Sequence, residues 1–313
     1  MSVFLKKKFI YLTICTRFFS KLDIFYNPND LSSYISYCNK KDKLKNVNAE
    51  YLFGVRSVKA ALQIKKRLFY QLFLINCNLK SVDSHHYEDI LEIHELAKSL
   101  NLSVVKVTKE FLDIKSKMLP NQGVLLKCSK LPVPEFDDNY LTTCKRKSGL
   151  HVFLDELKDN MNFGNLLRSS LYFGVLSIFL PIGSTCSPSP LVSRISDGAM
   201  EIIPIFKQRD KIQLLQKLKE ENFCIIGTSG NDYVADKKTV DIDNITAAEE
   251  NLMKGRHNVL VLGSEGPGIT DEIGALCDIM FKIPNYGKQN EYMNCLNVST
   301  ATGIMLNFLR SKI

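Results

Sequence analysis

The sequence predicts an α/β protein, with a parallel, doubly wound sheet in its C-terminal half and a smaller α/β unit before it. Three observations carry that expectation. From residue 151 onward, short apolar runs alternate with stretches of helical periodicity, the pattern of a parallel sheet covered on both faces. Residues 259–270 read Val-Leu-Val-Leu-Gly-Ser-Glu-Gly-Pro-Gly-Ile-Thr, a buried strand, a glycine-rich loop and a helix start at Thr270. The same βα alternation recurs within residues 49–131, as a smaller unit.

The elements follow in order. Residues 1–22 hold Lys6, Lys7, Lys8, Arg17 and Lys21, no acid, and interleaved apolar residues such as Phe9, Ile10 and Phe18. This resembles a mitochondrial presequence, with a cleavage-like Arg17-Phe18-Phe19-Ser20, and implies the matrix. The competing reading is a secretory signal, but Arg17 and Lys21 stand where small residues belong. Residues 23–48 are polar and read as a linker.

In 49–131, Val58, Ala61, Leu62 and Ile64 have helical spacing, as do Ile90, Ile93, Leu96, Ala97 and Leu100. Strands are expected at 71–76, 102–107 and 123–128, and His85, His86 and His94 as surface or capping residues. Residues 132–149, with Pro132, Pro134 and the basic Lys145-Arg146-Lys147, read as a second linker, its basic spot either touching RNA or merely solvated. In 150–313, strands are expected at 151–155, 177–180, 223–228, 259–262 and 279–283. Helices are expected at 162–173, 190–197, 210–221, 270–277 and 297–310.

Composition bounds the function. The 313 residues carry a net charge of +8 with a pI of about 8.9, a balance that favours an anionic partner. The nine cysteines include no Cys-x-x-Cys pair and the five histidines no ligand spacing. Structural zinc and a disulfide framework are therefore not expected, and a reducing compartment is. No apolar run reaches 18 residues, so no transmembrane helix is expected.

The glycine loop is neither a dinucleotide loop, whose glycine order differs, nor a P-loop, which needs Lys-Ser/Thr after its last glycine. This rules against an NAD-binding Rossmann enzyme. Two further stretches accompany it: Asn162-Phe163-Gly164-Asn165-Leu166-Leu167-Arg168 upstream, and Leu296-Asn297-Val298-Ser299-Thr300-Ala301-Thr302-Gly303 near the C-terminus. In this order and spacing the three resemble the signature motifs of the SpoU/TrmH family of RNA ribose 2′-O-methyltransferases. The resemblance spans roughly residues 51–313 and is nearest to members acting on mitochondrial large-subunit rRNA.

The resemblance implies a C-terminal trefoil-knotted (SPOUT-type) domain and an L30e-like RNA-binding domain before it. It also implies S-adenosylmethionine as methyl donor, a guanosine of large-subunit rRNA as substrate, a homodimer, and neither metal nor membrane. Carried onto this chain, the donor would lie against Gly263, Ser264, Glu265, Gly266, Gly268, Ile283, Leu296, Asn297 and Ser299. Arg168, Asn162 and Glu265 would be catalytic, and Arg168, Lys145, Arg146 and Lys147 would contact RNA. A general-base role for Arg168 conflicts with a guanidinium that stays protonated, so phosphate clamping and oxyanion stabilisation are expected of it instead. Glu265 is one proton acceptor; Glu201, in Gly198-Ala199-Met200-Glu201, is either another or a structural partner.

Three departures stand out. Asn121 replaces the His of the family's His-Gln-Gly-Val. Asp159 is followed by Asn160 where the family has Asp-Pro, and Asn294-Cys295 replace Glu-Ser before Leu296, with Glu291 nearby. The altered flanks of the first and third motifs favour one rival, a non-catalytic RNA-binding ribosome assembly factor of the same fold; a second rival keeps catalysis as a tRNA 2′-O-methyltransferase.

Overall fold

The computed structural model describes residues 49–76, 84–136, 140, 148–183, 185–264, 268–287 and 296–313. The expected presequence, the first linker and the Lys145-Arg146-Lys147 spot lie outside them.

The first unit is a four-stranded sheet. Its elements are β1 (Glu50–Phe53), α1 (Val55–Ile64), β2 (Phe69–Ile75), α2 (Ser84–Ser99), β3 (Val104–Val107), α3 (Lys109–Lys115) and β4 (Val124–Cys128). The strand order is β1-β4-β2-β3, with β4 antiparallel to both neighbours and β2 parallel to β3. Side chains alternate across β4. Val124, Leu126 and Cys128 pack with Val58 and Leu62 of α1 and Ile93 of α2, while Leu125 joins Phe53, Phe73 and Leu112 of α3 on the other face. Asn121 is buried and satisfied, donating to Asp113 Oδ1 (2.8 Å) and Ser116 Oγ (3.2 Å) while accepting from Gly123 N (3.0 Å).

The second unit is a seven-stranded, wholly parallel sheet. In chain order it comprises β5 (Gly149–Leu154), α4 (Asn160–Tyr172), β6 (Ser177–Pro181), α5 (Pro190–Ile195), α6 (Ala199–Ile202), β7 (Ile205–Gln208), α7 (Lys211–Glu220) and β8 (Cys224–Thr228). A small hairpin follows, β9 (Tyr233–Val234) with β10 (Lys237–Lys238). Then come β11 (Val240–Asp241), α8 (Ala247–Met253), β12 (His257–Leu262), α9 (Asp271–Leu276), β13 (Ile279–Lys282) and α10 (Val298–Lys312). The order is β11-β13-β8-β12-β5-β6-β7.

Helices cover both faces. Leu150, Val152 and Leu154 of β5 meet Phe163, Leu166 and Leu167 of α4 and Met305, Leu306 and Leu309 of α10. Phe153, Val259 and Val261 meet Leu214, Leu215 and Leu218 of α7 and Ile273 of α9 on the other side. This is why β5, buried at all six positions, reads as a continuous apolar run. Of the apolar side chains on α10, Leu306 and Leu309 belong to the core, Phe308 packs edge-on to Phe281 (5.3 Å), and Ile304 is exposed.

The first part of the stretch read as a second linker is fixed to the edge of β7. Phe136 N donates to Lys207 O (3.2 Å), Lys207 N to Pro134 O (2.9 Å), and Phe136 is buried edge-on against Phe179 and Phe206. The two sheets are also joined by a buried ion pair. Arg67 forks onto Glu201 through Nε (2.8 Å) and Nη2 (2.9 Å), and Nη1 reaches Glu50 and Ser129 O. Burial opposes the Arg67 charge, yet Glu201 and Glu50 hold its pKa above the ordinary value. With Ser193 Oγ also donating to Glu201 Oε1 (2.9 Å), both Glu201 oxygens are engaged. Of its two expected roles, Glu201 takes the structural one.

Cys128, Cys224 and Cys277 are buried free thiols, and burial pushes each up to about 12. Among the described residues, no helix is long and apolar enough to cross a membrane, and no group of three His, Cys, Asp or Glu could hold a metal.

Candidate active site

The sheet order reverses between β5 and β12. From β5 the chain proceeds towards β6 and β7; from β12 it leaves in the opposite direction, through α9 to β13. In an open α/β sheet the crevice beyond the carboxyl ends of such a strand pair is where ligands bind. The two strands end in register, Leu154 opposite Leu262, and Asp155 N donates to Leu262 O (2.8 Å). The connections that leave them carry two of the three motifs.

After β12 the glycine loop closes on itself. Ser264 N donates to Gly268 O (3.1 Å) and Gly268 N to Ser264 O (3.2 Å), which pins the two ends of the loop together. A Cβ on Gly263 would stand 2.2 Å from Gly268 C and 2.4 Å from Ile269 N, both backbone atoms that cannot yield. Gly268 has φ 76, and among the described residues nothing stands within 4 Å of where its Cβ would be. Gly263 and Gly268 thus offer bare backbone, which suits a ligand held by main-chain groups. Glu265 and Gly266, expected to hold the methyl donor, lie outside the described residues. Ile283, just past β13, is half-buried against the core.

After β5, Asp159 caps α4, its Oδ2 accepting from Asn162 N (2.8 Å). Asn160 therefore occupies the first helical position, where proline would serve equally well, and the helix start is intact without it. Asn162 is buried, and its Oδ1 accepts from Asn297 Nδ2 (2.9 Å), across 135 residues of sequence. Asn297 in turn caps α10, its Oδ1 accepting from Ser299 N (2.9 Å) and Ser299 Oγ (2.6 Å). Asn162, Asn297 and Ser299 are thereby brought together. Leu296 is exposed beside them.

Arg168 sits roughly 9 Å further along the α4 axis. It is 59% exposed and its Nη1 lies 2.8 Å from Asp197 Oδ2. Asp197 also receives Arg56 Nη1 at 2.7 Å and Arg194 Nη1 at 3.5 Å. Sequence reading missed this convergence. The one available signal was Arg194 and Asp197 at i,i+3 immediately before Gly198-Ala199-Met200-Glu201.

Residues 149–307 match the model of the SpoU rRNA Methylase family. The human protein "rRNA methyltransferase 1, mitochondrial" is 28% identical over 272 residues, covering 87% of this chain and 75% of the relative. Its namesake from Schizosaccharomyces pombe is 28% identical over 295 residues, covering 87% and 93%. An AdoMet-bound rRNA methyltransferase from Sinorhizobium meliloti has the same fold, with a TM-score of 0.64 at 19% identity over 91% of this chain and 95% of that one. The SpoU methyltransferase AviRb from Streptomyces viridochromogenes, with AdoMet, gives 0.63 at 16% identity over 90% and 97%. The matched segment contains β5, α4, the glycine loop and most of α10, so the chain belongs to the SpoU rRNA Methylase family and is an RNA methyltransferase that uses S-adenosylmethionine.

Proposed function

We propose that the chain methylates a ribose 2′-hydroxyl of a guanosine in mitochondrial large-subunit rRNA, in the matrix. The observation that carries the reading is the Asn162–Asn297 hydrogen bond, which ties the start of α4 to the start of α10. The human and S. pombe relatives, both named mitochondrial rRNA methyltransferases, support the substrate and compartment, as does the basic, acid-free stretch 1–22.

S-adenosylmethionine supplies an electrophilic methyl group on a sulfonium. The chain's own part is largely alignment. Main-chain groups of Gly263, Ser264, Glu265, Gly266 and Gly268, with Ile283, Leu296, Asn297 and Ser299, form the donor pocket, and a trefoil knot brings these segments together. Arg168 clamps a phosphate of the target nucleotide and stabilises negative charge developing on the 2′-oxygen. The proton leaves to Glu265 or to solvent. Lys145, Arg146 and Lys147 contact RNA between the two units, and the first, L30e-like unit reads RNA by backbone and shape. Exposed Met161 and Tyr172 on α4, Leu296 just before α10 and Ile304 midway along it suit a homodimer contact.

Mapping 2′-O-methyl groups in mitochondrial rRNA and tRNA after depletion tests the proposal. Loss at one large-subunit guanosine is expected. Loss confined to a tRNA would reassign the substrate. An unchanged map would replace catalysis with the assembly-factor reading.

A further inference from the structure

Arg56, Arg168 and Arg194 bring three positive charges to one carboxylate, Asp197, at the junction of the two units. Arg56 stands at the start of α1 in the first unit, Arg168 on α4 and Arg194 on α5 in the second. The arrangement is held from several sides. Arg194 Nε donates to Pro120 O (3.3 Å), Ser57 Oγ of α1 donates to Ser193 O (2.9 Å), and the buried Arg67–Glu201 fork lies beside it in sequence. Asp197 itself is a non-glycine residue at φ 51, in the turn between α5 and α6.

One carboxylate cannot neutralise three guanidiniums, so the cluster keeps an excess charge of about +2. Arg56 and Arg168 are 66% and 59% exposed, so their pairs with Asp197 are screened by solvent and exchange readily. A guanidinium fork suits phosphate oxygens as well as it suits a carboxylate.

We propose that Arg56, Arg168 and Arg194 form a phosphate clamp spanning both units, and that Asp197 is the internal counter-ion which an RNA phosphodiester displaces. The proposal rests on RNA being the substrate, and it adds Arg56 and Arg194 to the binding residues. It also makes RNA engagement a joint act of the two units: the phosphate that frees Arg168 from Asp197 is held by α1 as well.

The test is RNA affinity at several salt concentrations for Arg56→Gln, Arg56→Lys, Asp197→Asn and the remote control Arg256→Gln. Thermal midpoint and S-adenosylmethionine affinity are read on every variant. Arg56→Gln should weaken binding to a large-subunit rRNA fragment about three- to tenfold and lower the slope of log K against log salt by about 0.7. Arg56→Lys should fall between it and wild type. Asp197→Asn should bind RNA severalfold more tightly. S-adenosylmethionine affinity should stay constant throughout. If Arg56→Gln matches the Arg256→Gln control, or Asp197→Asn weakens RNA binding at an unchanged thermal midpoint, the clamp is wrong. Absence of RNA binding by the wild-type chain would instead sink the RNA-substrate reading on which the clamp depends.

Discussion

Asn162 serves two helices at once. Its backbone N–H is capped by Asp159, while its side-chain carbonyl accepts from Asn297, itself the cap of α10. The two ends of Asn297 can be separated by substitution. Asn297→Asp keeps an oxygen for Ser299 N but loses the donor to Asn162; Asn297→Ala loses both. Asn297→Ala should therefore cost about 1 kcal/mol more stability than Asn297→Asp, the value of a helix cap. In a double-mutant cycle, Asn162→Ala and Asn297→Ala should couple by about 0.5–1.5 kcal/mol. Additive thermal and denaturant melts would show that the hydrogen bond does not join the helices. Both asparagines were legible as motif positions, but their bond was not. A sequence shows that two motifs exist, not the register at which residues 162 and 297 meet. Asp197 was illegible for the same reason: its three partners come from three helices.

Elements with strong local signals were the readable ones. Fully buried β5, and β12 buried from Asn258 onward, are runs too short for helices, and Asp210, Thr270 and Asn297 stand at the starts of the helices they announce. The short β1 and β7 and the seven-residue α3 gave too little periodicity. Helix α8 carries a local signal of its own, the reciprocal capping box of Thr246 and Glu249. At the opposite end of β5 and β12 from the glycine loop, His151 lies 2.7 Å from Ser177 Oγ and 3.0 Å from His257 Nδ1. Burial, and then the neighbouring His257, push the His151 pKa well below its ordinary 6.5. Near and below pH 6.5 the unfolded chain takes up a proton that the folded chain refuses, so stability is full above 6.5 and falls as the pH drops, by up to about 1.4 kcal/mol per unit. His151→Gln should reduce the drop in thermal midpoint between pH 7.5 and 5.5. An identical drop in the variant would place the acid sensitivity elsewhere.

At the scale of the whole molecule, the two units form one platform because Arg67 and Glu201 are buried, with Glu50 half-buried, where they meet. Burial raises the Glu50 pKa even with Arg67 beside it. Removing the arginine would strand two carboxylates, so Arg67→Met should destabilise the fold by about 3–5 kcal/mol, and Arg67→Met with Glu201→Leu by clearly less. Equal losses in denaturant unfolding would show that the pair does not act as a unit. The parallel sheet was legible from the alternation of strand and helix, whereas the docking of the units was not, because Arg67 and Glu201 look like ordinary surface charges in sequence. Methyl transfer by this platform is predicted to depend on Arg168. The most direct measurement is transfer from labelled S-adenosylmethionine to mitochondrial large-subunit rRNA by the purified chain and by Arg168→Ala. Transfer to a 2′-oxygen that falls at least about a hundredfold in the variant, with S-adenosylmethionine affinity retained, is predicted. A wild-type chain that binds both partners yet methylates neither mature rRNA, precursor rRNA nor assembly particles would contradict it.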